Sequence, residues 1–185
     1  MEAEREWGER LRSGDREALG LLMDAYGGEV YRTALLLLRD KHTSEDMAQE
    51  VFLTVYRKIG QLRDPDCLRP WMISITVNLC RAYMRKAAWK RLILLTPRQG
   101  GSLPEAVEES QVDRIALRIS LEKCIGQLSY PYREVVVLHY FHDKSVAEMS
   151  DMLGTSEGTI KSRLSRAREH MLLLWKEGEK DDTTG

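Results

Sequence analysis

Lys161, Arg163, Arg166 and Arg168 rise from a segment whose front is crowded with small and hydroxyl side chains: Ser156, Gly158, Thr159, Ser162 and Ser165. Nothing in that set makes or breaks bonds. Its chemistry is recognition: cations neutralise phosphates, hydroxyls hydrogen-bond phosphates or base edges, and small residues admit a close backbone approach. Counted from Arg163, the cations fall at i, i+3 and i+5 steps over an exposed arc rather than in Glu–Lys pairs.

Two short helices must position these residues. Ser145 is an N-cap with Glu148 three residues on, the spacing of a capping box. Val146, Met149 and Leu153 repeat at helical spacing, and Gly154 ends the run because glycine enters the left-handed C′ conformation without a Cβ penalty. Thr155 or Ser156 caps the next helix, whose inward stripe is Ile160, Leu164, Ala167 and Met171. This is the pattern of a helix-turn-helix, whose second helix enters the DNA major groove. An ordinary helical hairpin with a solvated cationic face shares the outline.

A second helix, Pro70 to about Arg91, has related chemistry. Asn78, Arg81 and Arg85 share a face, Lys86 and Lys90 lie one step around, and Tyr83 and Trp89 interleave aromatics with the cations. Trp71, Ile75 and Val77 to Leu79 supply its apolar contacts. Cations tracking phosphates beside rings that stack on bases suit a nucleic-acid groove. Positions 71–98 also hold Arg91 and Arg98 and no acid, which favours that use over a merely solvated rim.

The helix before it, capped by Thr43 or Ser44 and running to about Ile59, has the reverse character. Glu45 and Asp46 suit the positive end of the helix dipole. Gln49 and Glu50 lie beyond that effect. Asp46, Gln49 and Glu50 form one exposed arc opposite Met47, Val51 and Val55, a polar docking surface for a basic partner.

Composition sets the frame. The chain has 185 residues, 43% hydrophobic and 31% charged, which is a globular balance. Two Phe, five Pro and long periodic stretches point to an all-α fold of two small helical domains joined by a flexible linker. The segment Arg16 to Leu38 reads as one or two helices with Leu19, Leu22, Met23, Tyr26, Val30 and Ala34 inside. The boundaries read from it are a domain at 1–95, a linker at 96–111 opening on TPRQGGSLP, a domain at 112–176 ending in the helix-turn-helix, and a tail at 177–185. No apolar run is long enough to span a bilayer, and MEAEREWGER lacks a signal-peptide core, so a cytoplasmic protein is expected.

Three widely spaced cysteines argue against a disulfide framework. His139 and His142 have no accompanying ligand cluster and read as a helix end. There is no G-x-x-x-x-G-K and no nucleophile–base constellation, so neither enzyme activity nor a cofactor is expected. The net charge is −1, with basic patches set off by acidic stretches such as Glu105 to Asp113. Because affinity for DNA follows the number of phosphates neutralised, such a chain binds DNA weakly alone and calls for a larger partner.

EDMAQEVFLTVYRKIGQL (Glu45–Leu62) followed by RPWMISITVNLCRAYMRK (Arg69–Lys86) resembles the second conserved domain of bacterial extracytoplasmic-function (ECF) RNA polymerase sigma factors, within the sigma-70 family. The stretch from Tyr130 to Glu169 is similar to that family's fourth domain. Its specific elements are the D-x-x-Q-E-x-F run (Asp46, Gln49, Glu50, Phe52) and the G-T-I-K-S-R run from Gly158 to Arg163, in the family's order. The resemblance implies a sigma factor that binds core RNA polymerase, directs it to a promoter and helps open the DNA.

By that resemblance, Asp46, Gln49 and Glu50 face the clamp helices of the polymerase beta-prime subunit, and the beta subunit is a further contact. The loop Asp64–Arg69, with Trp71, forms the pocket for a base flipped from the −10 element. Asn78 holds the strand apart, and Arg81 and Arg85 contact its phosphates. Extracting a base costs a few kcal/mol, which a pocket and a basic track must offset. Lys161, Ser162, Ser165 and Arg166 match the positions that read the −35 major groove, and Thr159 and Arg163 contact phosphates. Ser165 is smaller than the side chains often found there, and the resemblance gives no assignment for Cys67 in the −10 loop. Control by an anti-sigma factor, usually membrane-anchored, is also implied. No inhibitory region-one segment precedes the first helix, so autoinhibition by that route is not expected. A free-standing helix-turn-helix regulator fits the C-terminal segment equally well but leaves the second basic helix and the neutral charge unexplained. A helical adaptor would show no dependence on DNA.

Overall fold

The computed structural model describes the backbone of residues 2–94 and 121–181 and the side chains of 3–89 and 121–175; the expected linker at 96–111 lies outside the described residues. The all-helical expectation holds, with no strand among the described residues. Two compact units divide the chain, Met1–Ser102 and Leu103–Gly185.

In the first unit α1 (Glu2–Arg12), α2 (Glu17–Leu38), α3 (Lys41–Lys58) and α4 (Leu68–Leu94) are joined with 3₁₀ turns at Ile59–Gln61 and Pro65–Cys67. α2 packs on α1, α3 and α4, and α3 packs on α4. Leu11, Leu22, Leu68 and Met72 are at most 2% exposed at the centre, beside Val51, Phe52 and Val55. Each such large apolar side chain contributes roughly 1.5–3 kcal/mol over its exposed state. α2 is one helix despite Gly27 and Gly28, because buried Leu22 and Val30 fix it on either side. Met23, expected inside, is 43% exposed: it lies about 100° around the helix from Leu22, off the packed face.

α3 begins earlier than the hydroxyl signals suggested. Its cap is Asp40, whose carboxylate accepts from the Thr43 backbone N–H at 2.8 Å. The Ser44 hydroxyl is buried and donates instead to the Asp40 carbonyl at 2.6 Å. Arg39 makes the turn from α2 in the left-handed region, at φ 61°, with its N–H donated to the Leu35 carbonyl. α4 starts two residues before Pro70, still leaving the proline in the first turn where its missing N–H is not needed, and runs on to Leu94.

In the second unit, residues 121–127 are helical (α5), followed by α6 (Tyr130–Phe141), α7 (Val146–Leu153) and α8 (Glu157–Asp181). Buried Arg133 donates from Nη2 to the carbonyls of Gly126 and Leu128, at 3.2 and 2.8 Å, and so ties the end of α5 to α6. Val135 to Leu138, Met149, Leu153, Ile160, Leu164 and Ala167 form the core. The expected capping box is present: the Glu148 N–H donates to Ser145 Oγ, and the Glu148 carboxylate accepts from the Ser145 N–H at 2.8 Å. That N–H and the Lys144 ammonium hold the Glu148 carboxyl down at about 2. Gly154 is left-handed, at φ 58°. Ser156, not Thr155, caps α8, accepting from the Thr159 N–H at 3.3 Å. α8 continues to Asp181, into the stretch read as a tail.

Candidate polymerase and nucleic-acid interfaces

Asp46, Gln49 and Glu50 all stand exposed on α3, opposite buried Val51, Phe52 and Val55. Helical spacing puts Leu53 in the middle of their arc, and it is 44% exposed. Sequence reasoning passed over this exposed leucine. The signal was there: Leu53 falls out of register with the Met47–Val51–Val55 stripe. Arg57 Nη1 reaches Glu50 at 3.4 Å, so one of the arc's carboxylates is already partly neutralised.

The loop before α4 is organised by Asp64, whose carboxylate caps the Pro65–Cys67 turn by accepting from the Asp66 N–H at 3.0 Å. Exposed Cys67 lies with Sγ 3.6 Å from the other carboxylate oxygen. Arg69 is engaged across the unit: Nε and Nη2 donate to the two oxygens of Glu29 on α2, at 3.0 and 2.8 Å. That carboxylate raises the Arg69 pKa further above its ordinary value. Nearby, the Tyr26 hydroxyl donates to Glu4 of α1, and burial followed by this carboxylate pushes the phenol up to about 12. Trp71 is half-buried against the core, so its indole helps seat α4 on the rest of the unit. Asn78 and Arg85 are exposed and Arg81 is half-exposed on one face of α4, as expected. The structure thus joins Asn78, Arg81 and Arg85 on one helix face, whereas Arg69 is turned to Glu29.

In the second unit Thr159, Lys161, Ser162, Ser165 and Arg166 are exposed along the front of α8, and Arg163 is half-buried. Nη1 of Arg163 is shut from solvent without a hydrogen-bond partner. Ser162, Arg163 and Arg166 border a groove of about 420 Å³ closed on its other side by Ser129, Pro131 and Tyr132 at the start of α6. One Glu–Lys pair does form, Glu157 with Lys161 at 3.4 Å, against the expectation of unpaired cations. Arg168 turns back to α6, donating from Nε to the Tyr140 hydroxyl at 3.0 Å. His139 packs likewise, with Nδ1 3.0 Å from the Lys144 carbonyl. A second groove, of about 500 Å³ and almost wholly apolar, runs between α5, α6 and α8, lined by residues including Leu121, Ile125, Val136, Tyr140, Leu172 and Trp175. Its walls are spread over three elements, so no single segment of sequence announces it.

Residues 22–90 match the family model of sigma-70 region 2, and residues 118–171 match that of sigma-70, region 4. The ECF RNA polymerase sigma factor SigM of Bacillus subtilis is 30% identical over 157 residues, spanning 85% of this chain and 94% of that protein. SigW of the same organism is 28% identical over 172 residues, spanning 86% and 90%. The sigma factor RpoE of Bartonella quintana, solved with the anti-sigma factor NepR, shares the fold at a TM-score of 0.70 and 22% identity, over 85% of this chain and 96% of that one. The polar arc of α3, the cationic face of α4 and the helix-turn-helix are therefore features of a family member: the chain belongs to the ECF RNA polymerase sigma factors of the sigma-70 family.

Proposed function

We propose that this chain binds core RNA polymerase, brings it to promoters by −10 and −35 recognition, and promotes strand opening, without catalysing a reaction itself. The division of labour follows the boundaries read from sequence: 1–95 for core polymerase and the −10 element, 96–111 as linker, 112–176 for the −35 element and 177–185 as tail. The observation that carries this assignment is the opposed chemistry of neighbouring helices in one unit. α3 exposes Asp46, Gln49, Glu50 and Leu53, while α4 exposes Asn78, Arg81 and Arg85 with no acid nearby in sequence. A surface that repels phosphate beside one that attracts it suits a protein partner on the first and nucleic acid on the second.

Asp46, Gln49 and Glu50 meet the beta-prime clamp helices, and the apolar groove of the second unit is assigned to the beta subunit. Asp64, Arg69 and Trp71 shape the −10 pocket; Asn78, Arg81 and Arg85 hold the separated strand. Lys161, Ser162, Ser165 and Arg166 read the −35 element, and Thr159 and Arg163 hold its phosphates. The chain works in the cytoplasm; no described helix is long and apolar enough to cross a membrane. Control by an anti-sigma factor is supported by the relative from Bartonella quintana, crystallised with one.

The test is gel filtration of the chain with bacterial core enzyme, followed by transcription from a promoter-fragment library. Co-elution and promoter-dependent transcripts are expected. Lys161→Ala and Arg166→Ala should each weaken promoter use by about 1–3 kcal/mol while leaving core binding intact; Asp46→Ala and Gln49→Ala should weaken core binding. Equal loss of core binding in all four overturns the assignment, and tight duplex binding without core indicates a free-standing regulator.

A further inference from the structure

The α4 face does not end at Arg85. Successive steps of three and four residues carry it through Ser74, Asn78, Arg81, Arg85 and Trp89, all within an arc of about 80° at 3.6 residues per turn. Trp89 is 66% exposed, more than any other large hydrophobic side chain among the described residues. Tyr83, which sequence alone grouped with it, is 42% exposed but points about 120° away from Trp89 around the helix, off this face. The described neighbours of Trp89 one turn back are Arg85 and Lys86, both exposed, and the small Ala82 lies one turn further. The indole therefore stands at the end of a cationic track, with a low surface on its near side.

That setting selects the occupant. An exposed ring flanked by cations and by no acid repels a basic surface and offers a stacking face to a polyanion that carries rings of its own. Asn78 to Trp89 spans about 16 Å along the helix axis. We propose that Trp89 stacks on a base of the separated DNA strand at the far end of the Asn78–Arg81–Arg85 track, and so fixes how much strand the first unit holds. This rests on the strand-holding role of that face. Stacking between a base and an aromatic side chain is tolerant of base identity, so the contact sets strand length rather than sequence.

The test uses holoenzyme reconstituted from the full chain and bacterial core polymerase, with a fluorescein-labelled, mixed-sequence single-stranded 20-mer read by anisotropy. Trp89→Ala should weaken binding about tenfold or more, Trp89→Phe less than threefold, and neither should change the thermal melt or the core affinity. Unchanged 20-mer binding by Trp89→Ala, while Asn78→Ala and Arg81→Ala lose it, overturns the stacking proposal alone. Unchanged binding in all of these variants overturns the strand-holding role itself. Loss of core affinity in Trp89→Ala assigns the indole to a protein contact and overturns the proposal as well.

Discussion

Replacing Glu29 by Gln should strengthen capture of opened DNA. Arg69 belongs to the proposed −10 pocket, yet its guanidinium is held by both oxygens of Glu29 at 2.8 and 3.0 Å. The arginine side chain is 54% exposed and the glutamate 25%, so solvent screens the pair heavily. Exposed pairs contribute about 0–1 kcal/mol, and the two-pronged geometry puts this one near 1 kcal/mol. If DNA must draw Arg69 away, that amount is subtracted from DNA affinity, and Glu29→Gln returns it as about a fivefold gain. Folding stability should drop by no more than about 1 kcal/mol, and by less as salt is raised. The assay is a double-mutant cycle of Glu29→Gln and Arg69→Ala, measured as holoenzyme affinity for a preopened promoter from the library. Arg69→Ala should weaken binding, and the double variant should match Arg69→Ala. Loss of affinity in Glu29→Gln would refute the reasoning, because Glu29 would then be aiming Arg69 at DNA. A fivefold gain that persists in the Arg69→Ala background would refute it differently, leaving the carboxylate acting by its own repulsion of phosphate.

Further outcomes follow from the helix-turn-helix. Ser145→Ala removes the α7 cap and should destabilise the second unit by about 1 kcal/mol, read by thermal melting and by faster amide exchange in α7. The Glu148 half of that box depends on pH. Its carboxyl lies at about 2 when folded against 4.5 ordinarily, so its contribution is present above pH 4.5 and lost as pH falls towards 2. Because Glu148 is half exposed, that contribution should be about 1 kcal/mol rather than the full shift, and Glu148→Gln should flatten the melting curve over this window. Gly154→Ala meets no neighbour within 4 Å, so its cost is the left-handed backbone alone, about 1–2 kcal/mol by urea unfolding; Gly154→Asn should cost less.

What sequence revealed was local. Ser145, Glu148 and Gly154 lie within one short helix and its ends, where a cap signal and a left-handed glycine act over three or four residues. The stripes Ile160–Leu164–Ala167 and Asn78–Arg81–Arg85 needed only helical periodicity. Where two local signals competed, the sequence misled: Thr43 and Ser44 masked Asp40, although the D-x-x-T spacing carries a cap whose acceptor is charged. Met23 next to Leu22 could not be assigned without the partner helices, because only packing decides which of two adjacent apolar residues faces inward. The Arg69–Glu29 pair joins residues forty positions apart, and the apolar groove draws on three elements, so neither leaves a trace in any one segment.

The joint between α2 and α3 constrains how this protein can vary. Arg39 and Asp40 are the whole of it: one closes α2 through its N–H, the other opens α3 through its carboxylate, and no slack remains. One inserted residue must either give up a cap or turn α3 by about 100° against α2. That turn would carry Asp46, Gln49 and Glu50 toward the core and bring Val51 or Val55 out. Insertions and deletions should therefore be purged at Arg39–Asp40. The spacing from the α2 core to the arc proposed to meet the polymerase becomes a fixed length, and variation within the arc is confined to substitution.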